Sequence, residues 1–308
     1  TKNYGLTFSG NVGFNKNKVK SLGSLTQYSA SSGWASTQIQ DDYIVKPGHS
    51  VGEIYGYISD GRYEVSDFED YYAAGEKWVL KEGVVNNSSV IGTSYLRPGA
   101  LKLKNMNDDN VIDAKDRTVI GNTTPKFSGG FGLNATYKGF DMSMFFNFMY
   151  DFDVLNANKI MLTTWADNKE NNFLMDIASD KRWRNFDDMG NEIRYSPEVL
   201  AEFNKNATMW NPTSIGRPIC MSYAVEDGSF LRLNSATLGY TLPSVWTKKV
   251  GLSKVRFYVS GNNLFTLTGY SGYDPEVSTA GSNPMTPGLD WGAYPKSKVF
   301  TFGLDIQF

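Results

Sequence analysis

The sequence has no run of ~20 apolar residues, so no helix in it can cross a bilayer. It has one cysteine, Cys220, which excludes an internal disulfide. It has one histidine, His49, which excludes a His-rich metal centre and most Ser-His-Asp chemistry. There is no block of Lys and Arg, and the net charge of −2 gives nucleic acid no electrostatic footing. No leader peptide is recognisable at Thr1, and the chain reads as part of a longer protein.

Aromatic residues are abundant, at 14% of the chain, although the mean hydropathy is −0.37. A transmembrane β-strand accounts for both, because it needs only ~9–11 residues and alternates apolar and polar positions. The last twelve residues show this alternation. Lys298, Phe300, Phe302, Leu304, Ile306 and Phe308 fall on one face, and Ser297, Val299, Thr301, Gly303, Asp305 and Gln307 on the other.

Six segments follow the same rule: 4–15, 127–137, 140–150, 230–242, 254–265 and 297–308. Phe145 and Met149 interrupt the third. Each segment exceeds the ~5–6 residues usual in soluble sheets. The connections alternate in length. Residues 16–126, 151–229 and 266–296 are long, while Lys138-Gly139 is a two-residue turn and 243–253 a short link with room for one helical turn. Short turns on one side and long loops on the other are the asymmetry of an outer-membrane barrel. A soluble sandwich would have short links at both ends. Six strands cannot enclose a lumen, since ~8 strands already give an interior filled by side chains. The fold class expected is therefore all-β, part of a larger transmembrane antiparallel barrel. Within the long connections, 155–184 and 196–205 read as short helices, the second with Ser196 as N-cap and Pro197 in the first turn.

Several blocks resemble the SusC/RagA family of TonB-dependent outer-membrane transporters. They are Gly288 to Phe308, Pro98 to Phe146, Ser229 to Pro243 and Lys254 to Glu276, which occur in family order. The resemblance implies that this is the C-terminal third of a 22-stranded barrel, with the N-terminal plug and earlier strands outside the chain. It also implies a SusD-like lipoprotein lid, energy coupling through TonB, an oligosaccharide or peptide ligand, an outer-membrane location and no enzymatic activity. By resemblance to outer-membrane barrels generally, the strand ending at Phe308 would be the assembly signal. A secreted β-rich carbohydrate-binding domain is the alternative to a transporter, and a passive porin the other.

Two sets of residues are candidate sites. Asn105, Asn107, Asp109, Val111, Asp113 and Asp116 match the oxygen positions of a twelve-residue calcium loop, with Asn110 where glycine is usual and Asp116 in place of Glu. The alternative is an Asx-rich turn bonded to its own backbone; no cofactor is required by the transporter reading. The loop tryptophans Trp34, Trp165, Trp183, Trp210 and Trp291 could stack on sugar rings, with Asp167 and Asn168 taking hydroxyls, or could fill small cores under the loops. Gly129-Gly130-Phe131-Gly132 lies inside a strand with no Lys or helix after it, so it is not a phosphate loop. The pairs Glu226-Asp227 and Asp187-Asp188 point apart as chain neighbours and read as solvated charges.

Overall fold

The computed structural model describes residues 4–34, 41–69, 71, 77–164 and 172–308. Six long strands form one antiparallel sheet: β1 (Tyr4–Gly13), β2 (Phe127–Tyr137), β3 (Phe140–Tyr150), β4 (Phe230–Thr241), β5 (Lys254–Thr268) and β6 (Val299–Gln307). Their spatial order is their chain order, so the sheet is a meander. The boundaries match the sequence pattern within about three residues at each end. The β2–β3 hairpin turns on Lys138 and Gly139 with φ of 46° and 91°. Positive φ at both central positions matches the strand twist of a type I′ turn, and Gly139 takes it without strain. The short link after Pro243 holds a helical turn, Ser244–Thr247, and a 3-10 turn, Lys248–Val250.

Register carries the alternation across the whole sheet. On one face Tyr4, Tyr137, Phe140, Tyr240, Phe257 and Leu304 are successive cross-strand neighbours in a single row at the short-turn end. The next row is Leu6, Ala135, Met142, Leu238, Val259 and Phe302. Towards the loop end Phe127 meets Phe14 at 5.8 Å and stacks on Tyr150 at 4.9 Å. Most of this face is uncovered among the described residues: Phe8 is 70% exposed and Phe302 81%. The two aromatic rows are separated by the length of β2. Ten residues at ~3.3 Å rise make about 33 Å, or about 25 Å along the normal of a strand tilted by ~40°, the height of a barrel's apolar band.

The other face is polar. Thr7, Asn134, Ser143, Thr237, Ser260 and Thr301 form one row across all six strands, with Thr237 and Ser260 hydrogen bonded at 2.7 Å. Nearer the short turns, Arg256 on β5 donates through Nε to Asp141 on β3 at 2.9 Å and through Nη1 to Asp305 on β6 at 3.2 Å. To reach Asp141 it crosses β4 above Gly239, where any Cβ would collide with both side chains. That close approach is why β4 carries glycine there.

The three long connections do not extend the sheet. They fold together above it into one body with its own cores. The largest core gathers Tyr63, Leu101, Ile112, Trp210, Ile219 and Met221 from two connections. A second gathers Trp34, Tyr43, Ile54, Leu155, Ile160 and Leu289 from all three. Short pairings join the connections: Tyr57 bridges Met221, and Leu155 pairs with Leu289. Because Asp153–Asn156 is a strand in that pairing, the described part of the helical segment expected over 155–184 holds only Ala157–Met161 and a 3-10 turn at Met175–Ile177. The helix expected over 196–205 forms as Pro197–Asn204. The inner face of β4 anchors the third connection. Buried Arg232 donates to Asp274 at 2.5 Å and to Asn263, and Lys296 pairs with Glu276 at the far end of the same connection.

Candidate ligand-facing surfaces and wall

Three of the loop tryptophans are core residues. Trp34 is 1% exposed, Trp183 1% and Trp210 4%. Trp210 packs edge-on to Tyr223 at 4.9 Å. Each ring is spent on filling the loop body, so Trp34, Trp183 and Trp210 offer no stacking face as folded. The reason is size: a large apolar ring in a long connection is the group best able to hold that connection together. Trp291 differs. It is 48% exposed and touches Trp34 through an edge contact at 6.5 Å. Trp165, Asp167 and Asn168 lie outside the described residues.

The acidic segment at 105–116 folds as a chain of side chain-to-backbone turns. Asn105 Oδ1 accepts from the amides of Asn107 and Asp108, and Asp109 Oδ1 from that of Val111. Asp113 caps the 3-10 turn Ala114–Asp116 through the amide of Lys115. Buried Asp116 accepts from Met106 and Asp113 amides at 2.8 Å each. Asp108 and Asn110 take positive φ, the conformation Asn and Asp tolerate best. Among the described residues no three His, Cys, Asp or Glu side chains converge as a metal site. As folded without metal, the segment is an Asx-rich turn bonded to its own backbone.

Two cavities among the described residues border the loop body. One, of about 720 Å³, lies where β1 and β2 meet the loop body and is lined by Phe14, Lys18, His49, Glu53, Lys126 and Asp153 among others. His49 Nδ1 stands 3.1 Å from the Glu53 carboxylate, and Lys126 pairs with Asp151 at 2.7 Å. The other, of about 310 Å³, lies within the 151–229 connection. Arg182, Asn185 and Asn211 line it beside Trp183. Burial, and after it the neighbouring Arg184, holds the Arg182 guanidinium below its ordinary value. No alternation or spacing in the sequence marks these residues, because the cavity is assembled from segments about thirty residues apart. Burial also pushes the Cys220 thiol far up, which leaves it inert at neutral pH.

No protein-family model matches the chain. Against curated proteins, it is 32% identical over 269 residues to TonB-dependent receptor P3 of Formosa agariphila, covering 86% of this chain. It is 24% identical over 315 residues to TonB-dependent receptor SusC of Bacteroides thetaiotaomicron, covering 96% of this chain. The chain is a segment of a SusC/RagA-type TonB-dependent receptor. It spans about a quarter of the length of these relatives, 23% of the first and 28% of the second. Among solved structures, the RagAB peptide transporter superposes on the whole chain with a TM-score of 0.67 at 20% identity, over 28% of its own length. The same importer in its closed-closed state superposes with a TM-score of 0.62. At that identity the likeness establishes the fold. The TonB-dependent receptor fold accounts for both the uncovered apolar face and the loop body above it.

Proposed function

We propose that this segment is barrel wall and external loop body of an outer-membrane importer. In this reading β1 to β6 belong to the C-terminal part of a closed barrel of 22 strands, whose other strands and plug lie outside the chain. The single observation that carries it is the largely uncovered apolar face, four to six residues deep on each strand and edged by aromatic residues at both ends. In water such a face would aggregate, and in a bilayer it is the surface that faces lipid. The polar face then lines the lumen, and the loop body forms part of the outer vestibule.

The importer would act with a SusD-like lipoprotein as lid and draw energy through TonB, moving nutrient oligosaccharides. Exposed Trp291 supports a sugar ligand, as an aromatic face open to solvent. A peptide ligand is the second reading, favoured by the superposition on a peptide transporter. No catalytic step belongs to either reading, and neither needs a resident cofactor.

Uptake by cells carrying the full-length receptor tests the proposal. Oligosaccharide accumulation should require the receptor, its lipoprotein neighbour and TonB. Accumulation that persists without TonB would leave a passive porin instead. In a receptor ending at Phe308, removing that residue should lower the amount inserted in the membrane, and unchanged surface levels would remove it as an assembly signal.

A further inference from the structure

The 310 Å³ cavity in the 151–229 connection is rich in hydrogen-bond donors and short of acceptors. Asn211 is 6% exposed and Asn185 8%, and both line the cavity. Asn211 Oδ1 accepts from the amide and hydroxyl of Thr213, at 2.9 and 2.7 Å. Among the described residues, neither Asn211 Nδ2 nor Asn185 Nδ2 donates a hydrogen bond. Neither nitrogen is sealed inside the protein, so each is free to donate into the cavity.

Arg182 adds the charge. Among the described residues it has no carboxylate within salt-bridge reach, and its one side-chain hydrogen bond runs from Nη1 to the Ile177 carbonyl at 3.2 Å. The neighbouring cation is already committed: Arg184 pairs with Asp188 at 2.8 Å and lies over the Phe203 ring. The one carboxylate on the cavity wall, Asp187, is saturated by Asn191 through its amide nitrogens and by the Met189 backbone. Asp187 is therefore a poor partner for Arg182. A half-buried guanidinium and two buried amides, all with N–H groups to spare, surround a space large enough for one sugar ring or one residue of a peptide. Pro212, Phe173 and Phe186 supply its apolar walls.

We infer that this cavity binds a carboxylate, with Arg182 as counter-charge and Asn185 and Asn211 as donors to its oxygens. A planar guanidinium fork suits a carboxylate geometrically. The group could belong to an acidic sugar or to the C-terminus of a peptide. The inference rests on the importer reading, and it narrows the ligand of that same external body to an acidic one.

The test uses the full-length receptor with its lipoprotein, in detergent, and calorimetry with four probes. These are a glucuronic-acid disaccharide, the same disaccharide with its carboxyl reduced to the alcohol, a short peptide with a free C-terminus, and the same peptide amidated. One acid should bind at least about tenfold more tightly than its neutral counterpart, the scale of a hydrogen-bonded charge, and which acid does so identifies the source. Arg182→Gln should remove that preference. Asn211→Asp, which keeps the acceptor used by Thr213 and is nearly isosteric, should remove it as well, with the melting temperature held as evidence of folding. Equal binding of acid and neutral probes overturns the inference, and so does an acid preference that survives both substitutions. A receptor that binds the acid through Arg182 yet imports nothing keeps this site and loses the transport reading.

Discussion

At the residue scale the fold depends on a few side chains whose neighbours leave them one role. Gly239 has no side chain because Arg256 passes over it to Asp141. Gly239→Val should displace the arginine and break the link from β3 to β6. The barrel should then unfold at lower temperature in a heat-modifiability gel, while Gly251→Ala, in open space, leaves the midpoint close to its original value apart from a left-handed backbone cost. Trp183 has the opposite burden, since its ring fills a core with Ile193 and Leu200. Trp183→Ala should cost about 3–5 kcal/mol, the range for emptying a large buried aromatic, read as loop-body unfolding by protease sensitivity. The tryptophans show where sequence reading stops. Both roles, stacking on a ligand and filling a core, call for the same ring. Only the packing of Trp34 between Tyr43, Leu155 and Leu289, which come from connections far apart in sequence, tells which role was taken. The Asx turn at 105–116 is a similar case. The spacing of its oxygens is legible, but whether they turn to a common centre or to the nearest amide is set by backbone dihedrals at Asp108 and Asn110.

At the scale of elements the six strands were legible because period-two alternation survives whatever surrounds it. Phe145 and Met149, which break the pattern, have local reasons. Phe145 lies across Gly130 on the polar face, and Met149 packs with Phe230 and Phe152 where the strand enters the loop body. The connections were less legible, since Leu155 and Asn156 carry helix-like composition but pair with a segment 134 residues away. The strap of residues 269–298 has an ionic base that pH can address. Burial alone would raise the Asp274 carboxyl, but Arg232 and the Glu276 amide outweigh it and hold it below its ordinary value. A carboxylate depressed on folding adds stability that is complete above its unfolded value and is lost as pH falls through the folded one. The strap should therefore resist protease at pH 5 and open only below about pH 4, near the unfolded carboxylate value. Asp274→Asn leaves Arg232 buried beside a neutral group and should open the strap at neutral pH. A strap that loosens between pH 7 and 5 in the unmodified protein would assign its stability elsewhere.

At the scale of the whole molecule, the proposed barrel would satisfy what the sheet leaves open. Among the described residues, the outer strands β1 and β6 each have an unpaired edge and most of the apolar face is uncovered. Sequence alternation marks the two faces of the sheet, and the alternation of long and short connections is what the proposed orientation rests on. Neither supplies a strand number for the proposed closed barrel, because closure depends on shear as well as on alternation. Depth should govern the effect of charge on the apolar face. Phe300→Arg, in the third row and near mid-depth, should cost about 2–4 kcal/mol of barrel stability in a bilayer, and Leu304→Arg, in the short-turn row itself, less. Ser260→Arg, on the polar face, should be tolerated far better.

The most direct measurement follows β6 residue by residue. A fluorophore attached to single cysteines at positions 300 to 306 of the full-length receptor, in vesicles of lipid brominated along its acyl chains, reports which residues touch hydrocarbon. Strong quenching at 300, 302 and 304, less at 306 beyond the short-turn row, and little at 301, 303 and 305 is the result expected of a lipid-facing wall. Quenching that is weak at the even positions, or equal on both faces, would mean that the phenylalanines of this strand meet protein instead of lipid.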